Sequence, residues 1–310
     1  MTDVLAPENS QVRFGVEEVY GDGDYDSDPC TGHDPDFYWI GIIEDVTNPY
    51  DNSLRECRGI GSIDISALAT GMKNPELTLK WIVQRKRAGY FLPLTFMDYA
   101  VTPPVGITID HEATYGTTEL SLWYKGMMMD SLDVDFAIDD FVKANAKLVG
   151  QDVTIDDALV TASSKDSYPP DPVNSYYLPL TGQDCEVFLN AAGAGDTPLT
   201  NVKKVHFFIK NNYVRIPVVR TSNSDLLKYI LRGKRELGGE LTLYVETKAE
   251  LDWLTGSTLL DLRIDLHKTD NSPYFNFTNI KLDTGQLSTK INEVPCELQL
   301  PFKAGAISTG

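Results

Sequence analysis

Apolar and polar residues alternate with a period of two through much of this chain, the pattern of strands with one buried and one open face. Leu120, Leu122 and Tyr124 alternate, and so do Leu132, Val134 and Phe136. Asp133 and Asp135 lie between the latter, so the aspartates share one face and the apolar residues the other. Residues 37–43 and 205–209 are denser runs of aromatic and β-branched residues and read as buried strands. Ile63, Ile65, Leu77, Leu79 and Trp81 keep alternating spacing. Further strands are predicted at 90–96, 143–149, 185–189, 214–219, 241–245, 259–266, 274–282 and 297–302. Helix signals are sparse. The clearest has Thr247 as N-cap, Glu250 three residues on, Leu251 and Leu254 on one face and Gly256 past the end. Asn48-Pro49-Tyr50-Asp51-Asn52 and Asn211-Asn212 carry turn chemistry.

The pattern also repeats. Arg58-Gly59 precedes Glu76-Leu77-Thr78-Leu79, and Arg232-Gly233 precedes Glu240-Leu241-Thr242-Leu243. Each block follows a strand-like run and is followed by further apolar segments. A period near half the chain points to two related β-rich domains in tandem rather than to a solenoid. The expected division is a flexible arm (1–10), a first β domain (11–162), a proline- and glycine-rich linker or insertion (163–200) and a second β domain (201–310). Ser167-Tyr168-Pro169-Pro170-Asp171-Pro172 excludes helix and central strand from part of that linker, because proline lacks the amide. The fold class is therefore mainly β, in two sandwich or barrel domains with short flanking helices.

Composition narrows the function. The chain has 310 residues, enough for about two domains. No apolar run approaches the roughly 20 residues that span a bilayer, and the start lacks the basic and apolar regions of a signal peptide. These features predict a soluble protein made in a cytoplasm, with no membrane partner. Cys30, Cys57, Cys185 and Cys296 are too scattered for a zinc site or a disulfide scaffold, though a Cys30–Cys57 contact is possible. The net charge is −18, and it is uneven. Residues 1–165 hold 28 acids and 12 bases, and residues 166–310 hold 17 and 15. Such a balance disfavours binding to nucleic acid phosphates and suits a surface past which DNA slides.

No catalytic constellation emerges. The acidic run from Asp22 to Asp28 resembles the start of a calcium loop, but Ser27 and His33 stand where such a loop needs glycine and glutamate. His111-Glu112 has no second histidine four residues on. Asp133, Asp135, Asp139 and Asp140 include pairs spaced for glycoside hydrolysis, yet aspartates opposite an apolar face are the ordinary pattern of a half-exposed strand. Met127-Met128-Met129 is adaptable apolar filler. No enzyme, cofactor or metal is expected.

The second half resembles the tail tube proteins of long-tailed, siphovirus-like phages. The residues that carry the likeness run from Val202-Lys203-Lys204-Val205 to Asn211-Asn212. They continue through Arg232-Gly233-Lys234-Arg235-Glu236-Leu237-Gly238-Gly239-Glu240-Leu241-Thr242-Leu243-Tyr244-Val245-Glu246 and the capped helix. Trp123-Tyr124-Lys125-Gly126 with 132–136 resembles the closing hairpin of such proteins, so the first half looks like a degraded second copy. The resemblance implies a structural virion protein: a tail tube of stacked rings, assembled in the host cytoplasm, that conducts viral DNA without binding it specifically. It implies six such domains per ring, hence three duplicated chains with pseudo-sixfold symmetry. Its partners would be itself and other tail proteins such as the tape measure, terminator and baseplate. The excursions 44–58 and 220–236 would reach neighbouring subunits or rings, with Tyr50, Asp51, Arg55, Arg58, Asp225, Leu227, Arg232, Lys234 and Arg235 as contacts. Asp133 and Asp135 would face the lumen. The alternatives are another tail component, such as a terminator or baseplate hub, and a β-sandwich carbohydrate-binding module or hydrolase.

Overall fold

The computed structural model describes residues 10–17, 38–47, 50–51, 55–57, 67–69, 73–85, 91–96, 106–115, 118–156, 178–191, 197–216, 229–246, 252–253, 259–267, 273–282, 286–288 and 296–309. The fold is mainly β. Its first half contributes β1 (Ser10–Val16), β2 (Tyr38–Trp39), β3 (Ile42–Thr47), β4 (Tyr50–Asp51), β5 (Arg55–Cys57), β6 (Ala67–Ala69), β7 (Asn74–Ile82), β8 (Ile107–Tyr115), β9 (Thr118–Ala137), β10 (Lys143–Val149) and β11 (Asp152–Asp156). The second half contributes β12 (Glu186–Ala191), β13 (Val202–Lys210), β14 (Val214–Ile216), β15 (Tyr229–Leu231), β16 (Glu236–Tyr244), β17 (Leu260–Asp265), β18 (Tyr274–Leu282), β19 (Gln286–Ser288), β20 (Glu297–Lys303) and β21 (Ala306–Thr309).

One antiparallel pairing scheme occurs twice. In the first half β1 pairs β8, β8 pairs β9 and β9 pairs β11, making an outer sheet. The distal part of β9 turns into a second layer, where it pairs β10, which pairs β7, which pairs β3. In the second half β12 pairs β17, β17 pairs β18 and β18 pairs β21. The end of β18 and β19 then pair β20, which pairs β16, which pairs β13. The two inner layers are one sheet, because β13 pairs the distal part of β9 from Lys204↔Ala137 to Lys210↔Ser131. Its strand order is therefore β3, β7, β10, β9, β13, β16, β20 and β18 with β19.

The alternation seen in the sequence explains why this sheet has one wet and one dry face. Leu77, Leu79, Trp81, Leu132, Val134, Ala144, Ala146, Val205, Phe207, Leu241, Leu298 and Leu300 are buried on one face. Aromatic rings stitch that face to the outer sheets: Phe91 packs on Phe14 of β1 at 4.9 Å and on Trp81 of β7 at 5.4 Å. Phe207 of β13 lies 4.9 Å and 5.4 Å from Phe275 and Phe277 of β18. Each such buried ring contributes roughly 1.5–3 kcal/mol.

Several local expectations change. The two alternating stretches around Leu120–Tyr124 and Leu132–Phe136 are one strand of 20 residues, β9, which serves both layers. The strand expected at 90–96 does not form among its described residues: Leu92–Phe96 forms a 3-10 turn. Pro93 has no amide to give a ladder, and Thr95 Oγ1 donates instead to the Leu92 carbonyl at 2.8 Å. The run 37–43 is interrupted at Gly41, with φ of 146°. A Cβ there would stand 2.9 Å from the Ile82 carbonyl, so only glycine permits the approach to β7. Of the excursion expected at 44–58, Tyr50 and Asp51 pair Pro75 and Asn74 of β7, whereas Arg55–Cys57 pairs Ala67–Ala69 in a separate two-stranded sheet. Cys185 and Cys296 are free thiols. The arm 1–9, the acidic loop from Asp22 to Asp36 with Cys30, Ile63 and Ile65, the proline-rich stretch 167–172 and most of the capped helix lie outside the described residues. Of that helix, Asp252 and Trp253 are described and are helical.

Candidate functional site

The surfaces that bear on function are the seam between β9 and β13, the open face of the sheet that crosses it, and the hairpin β14–β15. At the seam, Asn211 follows β13 and is fully buried. Its side-chain amide donates to the carbonyls of Thr95 and Met129, each at 2.8 Å, and its backbone amide to the Asp130 carbonyl at 2.7 Å. Arg235 completes the arrangement: its Nε donates to Asn211 Oδ1 at 2.9 Å, and its guanidinium lies 5.3 Å from the centre of the Phe96 ring. Phe96 also packs on Phe275 at 6.2 Å. The 3-10 turn of the first half is thus held by the second. Asn212 beside it has φ of 51°, as the turn chemistry of the asparagine pair predicts.

The hairpin pairs Val214 with Leu231, Arg215 with Ile230 and Ile216 with Tyr229. Its inner side seals onto the first half, where Ile230 is buried against Met128, Val149 and Tyr213. Arg215 Nη2 meets Glu76 Oε1 at 2.9 Å, and Lys147 Nζ meets Glu76 Oε2 at 2.9 Å. Burial alone would raise the Glu76 carboxyl, but these two cations outweigh it and hold it below its ordinary value. Glu76 is the first residue of the repeated Glu-Leu-Thr-Leu block, so the motif contributes a partner across the seam as well as a strand.

Asp133 and Asp135 both lie on the open face, on β9 opposite β13. Asp133 Oδ1 is 3.5 Å from His206 Nε2 and Asp135 Oδ1 is 3.6 Å from Lys204 Nζ. The hydrogen bond to Asp133 holds the His206 imidazolium above its ordinary value, against the effect of partial burial, with Asp135 adding to it. The open face is mixed in sign: Lys80, Lys143, Lys147, Lys204 and Lys210 interleave with Glu76, Asp133, Asp135 and Glu240. Asp139 and Asp140 sit in the exposed turn after β9, where Asp140 Oδ2 is 3.5 Å from Nζ of Lys143 at the end of that face. Among the described residues no three His, Cys, Asp or Glu side chains are grouped to hold a metal ion.

Of the contact residues expected from sequence, Arg232, Lys234 and Arg235 lie together between β15 and β16, and Lys234 is exposed. Tyr50 and Asp51 belong to the sheet edge and Arg55 to β5, which pairs β6. Arg58, Asp225 and Leu227 lie outside the described residues. Sequence reasoning missed Asn211 as a seam anchor, Arg215, Glu76 and His206. Asn211 announced itself only as turn chemistry, and nothing local marks Arg215 or Glu76 as partners about 140 residues apart.

Among solved structures, the tail of an empty gene transfer agent particle is similar at 12% identity and TM-score 0.34, covering 42% of this chain and 98% of that one. The SPP1 tail tube is similar at 14% identity and TM-score 0.33, covering 43% of this chain and 79% of that one. The curated proteins give no match. The model of the phage tail tube protein family matches residues 8–304, nearly the whole chain. With an antiparallel β fold whose inner sheet runs unbroken through both halves, the chain belongs to the phage tail tube protein family.

Proposed function

We propose that this structural tail tube protein polymerises into stacked rings of three chains, forming the hollow virion tail that conducts DNA. The observation that carries the reading is the β9–β13 seam. It joins two copies of one pairing scheme inside the chain and leaves the equivalents of its two strands at opposite edges. Among the described residues β3 with β4 pairs only β7, and β19 pairs only β20. The motif fixes the equivalences: Lys80 pairs Asn145 as Tyr244 pairs Glu297, so Ser288, opposite Glu297, corresponds to Asp133, opposite Asn145. Asp51 pairs Asn74 as Phe208 pairs Gly238, so Asp51 corresponds to Phe208. Phe208 lies opposite Asp133 in the seam. A second copy repeating the seam therefore sets its Asp51 opposite Ser288 of the first.

Head-to-tail contacts of this kind close into a ring when the rotation permits. Two repeats per chain make three chains the equivalent of six domains. The first unit falls within the expected 11–162, whereas the second takes in β12 (Glu186–Ala191), which pairs β17, and so begins inside the segment 163–200 rather than at 201. The open face, with Asp133 and Asp135, then lines the lumen. Its acids are interleaved with lysines, so passing DNA meets a surface of alternating sign with no continuous basic track to hold it. Tape measure, terminator and baseplate proteins would meet the ends of such a tube, and assembly would take place in the host cytoplasm. Mass photometry across a concentration series, followed by electron microscopy, tests the reading. Three-chain rings and stacks are the expected result. A monomer at every concentration, or rings of six full chains, would overturn it.

A further inference from the structure

The inner sheet has two distinct ends, and their chemistry differs. At one end lie the β9–β10 turn, the start of β13 and the end of β16, and here a cavity of about 340 Å³ opens. Phe136, Ile138, Val187, Leu199 and Val202 supply its apolar lining, and Glu186 and Lys203 stand at its wall. Ile138 is 48% exposed although it is a large aliphatic residue, and Asp139 and Asp140 beside it are exposed acids. At the opposite end lie the start of β7, the end of β13 and the β14–β15 hairpin. There Val214 and Leu231, direct cross-strand partners, are 57% and 40% exposed. Arg232, Lys234 and Arg235 follow Leu231 immediately.

We infer that the Val214–Leu231 pair of one chain docks in the Phe136–Ile138–Leu199 cavity of a second copy in the adjoining ring, with Arg232 and Lys234 against Asp139 and Asp140. The inference rests on the tube reading and specifies how its rings stack. Three features select a second copy as the occupant. The apolar pair and the cavity lie at opposite ends of one sheet, so copies stacked in one direction bring one onto the other. Such a heterologous contact repeats without closing, which is what a filament requires. Arg232 and Lys234 beside the apolar pair are opposite in sign to Asp139 and Asp140 beside the cavity, where Lys143 and Lys203 already have acidic partners in Asp140 and Glu297, and that match sets direction and register. Exposed ion pairs contribute little alone, so the buried Val214 and Leu231 supply the apolar part of the contact.

The test is assembly of the full chain carrying Val214→Glu with Leu231→Glu, followed by electron microscopy and sedimentation. Both residues are exposed, so folding is preserved, and a circular dichroism spectrum and melting temperature matching the unmodified protein establish this. The expected result is intact rings with tube length reduced at least tenfold. A second set separates charge from shape. Asp139→Lys with Asp140→Lys, and Arg232→Glu with Lys234→Glu, should each shorten tubes, and the two combined should restore length. Full-length tubes from V214E/L231E would overturn the contact, as would no rescue in the combined charge variant. If the unmodified chain forms neither rings nor tubes, the tube reading fails first and this contact with it.

Discussion

Gly126 and Asn279 hold the same backbone conformation at the same place in the two halves, with φ of 61° and 55°. Each lies within a register shift, between the pairs Ile107↔Met127 and Ile109↔Tyr124 in the first half and Leu260↔Ile280 and Leu262↔Phe277 in the second. The next strand is tied on in the same way, by Gln151 donating to the Lys125 carbonyl at 3.0 Å and Gly305 to the Thr278 carbonyl at 3.1 Å. A β-bulge bends a strand and increases its twist, and here it sits where β9 and β18 pass from the outer sheet to the inner one. The left-handed conformation costs a residue with a Cβ about 1–2 kcal/mol, less for asparagine. Asn279→Gly is therefore expected to be neutral or slightly stabilising, and Asn279→Ala to destabilise by about 1 kcal/mol. Gly126→Val should do worse, because its amide also donates to buried Glu17 at 2.7 Å. Urea unfolding of the variants checks the order; an Asn279→Ala variant as stable as Asn279→Gly would contradict it.

A buried polar group in the outer sheet of the first half makes stability depend on pH. Arg13, Asp110, Glu112 and Ser121 are all buried on β1, β8 and β9. Arg13 pairs with Glu112, and the Ser121 hydroxyl donates to Asp110. Burial pushes the Asp110 carboxyl up to about 7, reinforced by the Glu112 carboxylate and opposed by Ser121 and Arg13. A raised carboxyl pKa means the folded chain binds the proton more tightly than the unfolded one. This site's contribution is therefore greatest at low pH and declines as pH rises from about 4 to about 7. Asp110→Asn should flatten that decline and leave the protein at least as stable as the parent above pH 7. Melting temperatures of both proteins from pH 4.5 to 8.5 measure it. A parallel pH profile in the variant would remove Asp110 as the cause.

Ring closure can be trapped covalently. Directly opposed residues of antiparallel strands have Cα atoms about 4.5–5.5 Å apart, within the range a disulfide spans. Asp51→Cys with Ser288→Cys should give a ladder ending at three cross-linked chains after mild oxidation. Either single variant should give none. Moving the second cysteine to Gln286 should weaken the cross-link, and equal yields from both positions would refute the register.

The period-two alternation revealed the strand content and the wet and dry faces, because a half-buried strand encodes both in its own sequence. Glu76-Leu77-Thr78-Leu79 and Glu240-Leu241-Thr242-Leu243 do occupy matching positions, on β7 and β16. The seam was not legible. Asn211 meets Thr95 and Met129, and Arg215 meets Glu76, through long-range pairings that leave no local trace. Residues 90–96 misled because apolar residues around Pro93 look like a buried strand by composition. The proline decided otherwise, by withholding an amide from the ladder. Within the excursion expected at 44–58, the pairing of Tyr50 and Asp51 with β7 left no trace in the sequence beyond the turn chemistry around Asn48 and Pro49.

The open face carries a titratable pair across the seam. His206 lies opposite Asp135 on β9 and 3.5 Å from Asp133. The imidazolium is held above its ordinary value of 6.5 by the hydrogen bond to Asp133, and partial burial opposes this only in part. A raised histidine pKa contributes stability that is fully present below the unfolded value and is lost as pH rises through the folded one. The β9–β13 seam should therefore be tightest below about pH 6.5 and loosen above that value. His206→Gln keeps a polar side chain but cannot become a cation, so it should lower the melting temperature in acid more than in base. Asp133→Asn should reduce the same pH dependence from the other side. Because the Asp110 carboxyl, raised to about 7, also shapes stability in this range, the comparison is made in an Asp110→Asn background. Nuclear magnetic resonance titration of the His206 ring in both proteins is the direct measurement. A ring titrating at its ordinary value in the parent, or unmoved by Asp133→Asn, would show that this pair does not couple the two halves to pH.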